Sequence, residues 1–292
     1  MRKAMKSSVL RMLQNHKNTM LILIDIGAFG FRQSMGEYPD QIKNIGIFEP
    51  GTISIAAGLA ISGIVPTVYG ISPFIVQRSL EQLKLNFVYQ KVGGNFITTG
   101  ASYDFSELGY SHYCPEDVDT LKTLPGMEII VPGTPKQFET LFAECCMNGH
   151  PSYFRMTDYG GKADIPVSFG KAAVIKKGAK ATVIAFAEML DAVMEATMDL
   201  DVTILYYTTA EPFDKETLRN HIAGGKIFIC SPFYEGTFAH DIALAVKGAH
   251  VKSDELAVPR NVIRSYGTKP EKDQCFGLTS VNIRNRLMAL IH

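Results

Sequence analysis

Four residues combine a type and a setting that could support chemistry: Glu49, Phe74, His112 and Arg155. Glu49 lies in NIGIFEPGTISIAAGLAISG, Asn44 to Gly63, where Ile45, Ile47, Phe48, Ile53 and Ile55 surround it and no Lys or Arg stands within five positions. A carboxylate in such surroundings is costly unless its charge is paired or its proton is kept. One reading is a general acid/base, or a group polarising a bound cofactor, with raised proton affinity. Another is a helix-start carboxylate, since EPGTISIAAGL reads as the opening of a helix whose macrodipole favours an anion. A helix start that faces a cavity serves both.

His112 sits in ELGYSHYCPEDVDTL, a Gly-containing loop just before a helix. In an α/β crossover such a loop faces the crevice at the carboxyl ends of the strands, although a surface histidine fits the pattern equally well. Phe74, in GISPFIVQRSLEQL, is either core packing or an aromatic wall at a helix entrance. Arg155 ends the apolar run SYFRM, where it either pairs with an acid or faces a carboxylate or phosphate. The remaining histidines lack metal-ligand spacing, and no metal site is expected within the chain.

The elements that must position these residues follow from periodicity. MLILIDI, TVYG, GNFITTG, MEIIVPG and SYFRM read as strands. Between them run a small-residue helix from about Thr52, a long helix over FIVQRSLEQLKLNFVY, and helices over CPEDVDTLKTL and PKQFETLFAECCM. This alternation predicts a parallel sheet covered on both faces. Residues 157–171, TDYGGKADIPVSFGK, read as a linker. Beyond it, ATVIAFA, VTILYY, KIFICSP and NVIRSYG are strand candidates, with helices from about Glu188, Asp214, Gly236 and Thr279. The expected organisation is α/β, with two doubly wound domains at 1–160 and 161–292, the second the smaller.

The chain has 292 residues, 46% of them hydrophobic, enough for two cores. Lys plus Arg and Asp plus Glu number 29 each, which argues against nucleic-acid binding through bulk charge. No apolar run reaches membrane-spanning length, the N-terminus lacks a signal-peptide core, and five unpaired-looking cysteines fit a reducing compartment, so a cytoplasmic location is expected. There is no P-loop and no G-x-G-x-x-G fingerprint.

Taken in order, FEPGTISIAAGLAISGIVPTVYG, RSLEQLKLNFVYQ and GYSHYCPEDVDTLKTLPGMEIIVPGTPKQFETL resemble the pyrimidine-binding domain of the transketolase family. TAEPFDKETL and GTKPEKDQCFGLTSVNI are similar to motifs of its C-terminal domain, and the likeness is closest to the C-terminal subunit of split transketolases. The resemblance implies thiamine diphosphate as cofactor, with Glu49 at the ring nitrogen of its aminopyrimidine. It further implies that Phe74 stacks on that ring, with Ile47 and Gln77 completing the cofactor pocket. His112 would contact a substrate oxygen and Arg155 the phosphate end of a substrate.

The departures from the family pattern are specific. Pro50 follows Glu49 directly, Thr98, Thr99 and Gly100 stand where an active-site histidine is expected, and Leu108 replaces a substrate-binding aspartate. These departures point away from the ordinary sugar phosphates, toward a different or deoxygenated sugar or another acceptor, and leave open whether the substrate is phosphorylated or nucleotide-linked. The family's magnesium- and diphosphate-holding Gly-Asp-Gly occurs nowhere in the sequence. Magnesium and diphosphate are thus expected on an N-terminal transketolase-like partner subunit, in an α2β2 heterotetramer that transfers a two-carbon ketol unit between sugars. Two rivals stay open: the β subunit of a 2-oxoacid dehydrogenase, and a degenerate, non-catalytic subunit. Deoxyxylulose-phosphate synthase is a further relative.

Overall fold

The computed structural model describes residues 1–292. Its first sheet collects strands β1 (Thr19–Leu23), β2 (Ile42–Asn44), β3 (Val65–Ile71), β4 (Gly94–Thr99), β5 (Glu128–Ile130) and β6 (Pro151–Arg155). The second contains β7 (Ala173–Lys176), β8 (Thr182–Phe186), β9 (Thr203–Tyr207), β11 (Lys226–Tyr234) and β12 (Lys252–Val258). One short strand, β10 (Thr209–Glu211), leaves the second half of the chain and pairs antiparallel with β5, so the first sheet has seven strands. Its order is β10-β5-β6-β4-β3-β1-β2, and every other pair in it is parallel.

Strands β3, β4 and β6 are buried almost throughout, as a parallel sheet packed on both faces requires. Helix Arg2–Asn15 covers one face together with helix Pro135–Cys145, through Met5, Val9, Leu13, Phe138 and Phe142. The second sheet runs β12-β11-β8-β9-β7, parallel except for the antiparallel edge strand β7.

Three elements differ from the pattern-based expectation. The long helix over residues 74–89 is broken into Ser72–Val76, Leu80–Gln82 and a π-helical turn Leu83–Val88. The amide of Arg78 reaches back five residues to the carbonyl of Pro73, and the Ser79 hydroxyl donates to the Phe74 carbonyl, which opens the ladder there. NVIRSYG is not a strand. The edge strand beside β11 is β12, which ends at Val258, before Pro259, where no amide donor is available to continue the ladder. Helix Lys269–Phe276, closed by a capping box of Thr268 and Glu271, was not expected from the pattern.

Residues 157–171 contain no helix and only an isolated bridge, but they are tied down. Arg2 forks onto Asp158, and the amides of Lys162 and Ala163 donate to Asp191.

The order of β2, β1 and β3 matters most for the site. The chain passes from β1 outward to β2, then returns across β1 to β3 and onward to β4. That reversal is a topological switch point, where crossovers leave a crevice beyond the strands' carboxyl ends.

Candidate active site

The crevice is a cavity of about 230 Å³ lined by Ile24, Asp25, Ile26, Ile47, Glu49, Gly70, Ile71 and Phe74. Ile24 to Ile26 follow β1, Gly70 and Ile71 end β3, and Phe74 belongs to the short helix that β3 leads into. Its walls are aliphatic, with one aromatic ring and two carboxylates. Asp25 holds a left-handed backbone (φ 67°), and its amide is fixed by the side chain of Asn44. Gly70 suits its place because a Cβ there would come within 2.7 Å of Ile75.

Glu49 is 4% exposed and forms the first turn of helix Glu49–Ile61, with Pro50 directly behind it. Proline suits a first turn because its missing N–H would have no helical partner there. The helix therefore starts earlier than Thr52, and its positive end lies at the carboxylate itself. A Cβ at Gly51 would meet the Phe48 ring at 1.8 Å, so the exposed Phe48 side chain lies where only glycine leaves it room.

No cation stands near Glu49 in the sequence, but the fold supplies one. Arg78, twenty-nine residues away in sequence, places Nη1 2.9 Å from Glu49 Oε2. Its guanidinium carbon also lies 4.1 Å from the centroid of the Phe74 ring. Phe74 lies in helix Ser72–Val76, and Arg78, four residues on, lies in the turn that follows it. That spacing was legible in FIVQR; the partnership with Glu49 was not. Glu49 Oε1 accepts no hydrogen bond from the protein.

His112 joins this group. Its ring meets Phe74 edge-on with centroids 5.2 Å apart and Phe105 at 6.4 Å, while the Ser111 hydroxyl lies 3.1 Å from Nδ1. Burial first, and the charge of Arg78 second, hold the imidazole below its ordinary value of 6.5. It is therefore a neutral ring near pH 7, able both to donate and to accept a hydrogen bond.

The other sequence-derived assignments fare differently. Ile47 lines the cavity. Gln77 does not; it is exposed and its amide donates to Glu116. Arg155 is corrected outright. It is 1% exposed, with Nε donating to Asp117 at 2.9 Å, Nη1 3.7 Å from Glu188, and its face 4.7 Å from the Phe233 ring. It is held between the two sheets by Asp117, Ser102 and Glu188 and does not line the crevice, so nothing places it at a substrate phosphate. Sequence pattern gave no sign of Asp117 or Glu188, because both partners arrive through tertiary folding.

No group of three or more His, Cys, Asp or Glu side chains in the chain is arranged to hold a metal ion, and no helix is long and apolar enough to cross a membrane.

Comparison with known proteins places this geometry. The sequence profile of the transketolase pyrimidine-binding domain matches residues 1–158. An uncharacterized 33.6 kDa protein of the fasciation locus in Rhodococcoides fascians is 32% identical over 283 residues, spanning 96% of this chain and 91% of that protein. An apulose-4-phosphate transketolase subunit from Phocaeicola vulgatus is 28% identical across 75% of this chain and 73% of its own length. Among solved structures, a split-gene transketolase in an inactive β4 tetramer shares the fold with a TM-score of 0.87 at 20% identity, covering 99% of this chain and 97% of that one. With a buried glutamate at the switch point of its first sheet and a two-sheet layout shared with a split-gene transketolase, this chain belongs to the transketolase family.

Proposed function

We propose that this chain is the pyrimidine-side subunit of a heteromeric, thiamine-diphosphate-dependent enzyme that moves a two-carbon ketol unit between sugar substrates. Residues 1–160 would form the cofactor-facing domain and 161–292 the smaller C-terminal one. The observation that carries the reading is Glu49: buried at the wall of an aliphatic cavity beside Phe74, with Oε1 free of protein partners. The residues present fit the aminopyrimidine end of the cofactor. Ile24, Ile26, Ile47 and Ile71 give apolar walls for a flat ring, Phe74 a stacking face, and Glu49 a hydrogen-bond partner for one ring nitrogen.

When bound, thiamine diphosphate supplies a carbanion and an electron sink. This chain's part is to orient the ring and to hold the proton shared between it and Glu49 Oε1. His112, neutral and edge-on to Phe74, would donate or accept a hydrogen bond at a substrate oxygen. Magnesium and the diphosphate would be gripped by a partner subunit carrying Gly-Asp-Gly, in an α2β2 assembly. Ile47, which lines the cavity, and its neighbour Phe48 are 71% and 60% exposed and support a covering partner there.

The test is to combine the chain with a partner that carries Gly-Asp-Gly and to titrate thiamine diphosphate with magnesium by calorimetry. Saturable binding that requires both chains, and ketol transfer abolished by Glu49→Gln, is the expected result. Full turnover by the Gln variant would rule out the role given to Glu49.

A further inference from the structure

Arg78 opens RSLEQL, inside the stretch that resembles the family, and the family reading gives it no task, yet it contacts both Glu49 and Phe74 and lies near the His112 ring that meets Phe74. Its Nη1 donates to Glu49 Oε2 at 2.9 Å, its guanidinium covers one face of Phe74 at 4.1 Å, and its charge acts on His112. The guanidinium does not line the cavity, whereas Glu49 and Phe74 do.

We infer that Arg78 is the positioning residue of this site. It fixes the Glu49 carboxylate through Oε2 so that Oε1 is left for the ligand, backs Phe74 so that its other face is presented, and sets its charge beside the His112 ring that meets the same Phe74. The inference rests on the proposed cofactor reading for the identity of the ligand, but the geometry it invokes exists in the chain alone.

The physical basis is the shape of the side chain. A guanidinium is flat and carries donors in its own plane, so it can stack on a ring and donate to a carboxylate at the same time. An ammonium has no flat face to lay on the ring, so it can carry the charge without the stack. Arg78 lies in the turn between helix Ser72–Val76 and helix Leu80–Gln82. The groups that face the His112 ring are Phe74 and Phe105 edge-on, the Ser111 hydroxyl at Nδ1, and Arg78 as the charge acting on it.

Two measurements test this, with Arg78→Met and Arg78→Lys. Arg78 is half exposed, so neither variant opens a buried void. The first is the ring titration of His112 by NMR in the chain without cofactor or partner. The Met variant should titrate at higher pH than the parent, and the Lys variant, which keeps the charge, should return toward the parent value. An unchanged titration in the Met variant overturns the inference.

The second is calorimetric affinity for thiamine diphosphate with magnesium, in the assembled pair. The Met variant should bind on the order of tenfold more weakly, the loss expected when a half-exposed ion pair and a cation–π contact no longer hold the two ligand-facing groups. The Lys variant should recover only part, because it cannot stack. Equal affinity overturns the positioning role. Tighter binding by the Met variant also overturns it, and would make Arg78 an internal occupant that the cofactor displaces. If the parent pair binds no thiamine diphosphate at all, the functional reading fails, while the His112 titration still decides the part played by Arg78.

Discussion

Replacing Arg155 by Met tests whether this side chain holds the two halves of the molecule together or serves a substrate. Met keeps much of the volume and removes the charge. Asp117, whose side chain is fully buried, would lose its 2.9 Å partner, and Glu188, 4% exposed, would lose its nearest cation. Asp117 keeps hydrogen bonds from the Tyr153 hydroxyl and the Val118 amide, but neither carboxylate oxygen of Glu188 accepts any. Breaking a buried ion pair from one side costs about 3–5 kcal/mol, because a charge is left without a partner. At roughly 2–4 °C per kcal/mol for a protein of this size, the melting midpoint should fall by roughly 6–20 °C. Urea unfolding followed by circular dichroism, with thermal melts alongside, measures this. The double variant Arg155→Met with Glu188→Gln should be more stable than Arg155→Met, since it removes the orphaned charge. A single variant within about 1 kcal/mol of the parent would refute the reasoning, the more so if its only defect were a raised KM for a phosphorylated substrate.

Glu49→Gln should lower ketol transfer by at least about a hundredfold, the ordinary contribution of one acid–base group, with a melting midpoint close to the parent because its partner Arg78 is half exposed. His112→Ala should reduce kcat more than it weakens calorimetric cofactor binding; equal losses would place the histidine on the cofactor instead. Asp104→Asn should change how stability depends on pH. Burial, and then the charge of Glu188, push Asp104 up to about 7, above its ordinary 3.8. The folded chain therefore binds this proton more tightly than the unfolded one. Its stabilising contribution is whole below about pH 4 and is lost as pH rises through about 7. Asn should flatten that decline and gain about 2 kcal/mol at pH 8, after the loss of one acceptor for Thr157 or the Asp158 amide. Denaturant midpoints at pH 5 and pH 8 decide it; an identical slope for parent and variant contradicts the assignment.

Local order fixed much of this protein before any contact formed. Runs such as MLILI and GNFITT read as strands and are strands, and EPGTISIAAGL reads as a helix opening, with its acid at the positive end. Glu49 and His112 stood out as chemical groups in loops or helix starts that follow strands; Glu49 lines the crevice, and His112 meets Phe74 of its wall edge-on. The sequence also marked Phe74, whose spacing from Arg78 is a local property of the chain.

What the tertiary structure decided was pairing. Whether Glu49 is unpaired, whether Arg155 is free, and where TAE lies depend on which distant segments meet. Arg78 reaches Glu49 across 29 positions, Arg155 finds Asp117 across 38, and β10 crosses back to β5 in the other half of the chain. Periodicity reports which face of an element is apolar, because that is set by neighbours a few residues away. It carries no information about which charge will lie opposite, since electrostatic partners are chosen by proximity in space. Neutralising a buried charge is decided when the chain closes, and there the sequence alone falls silent.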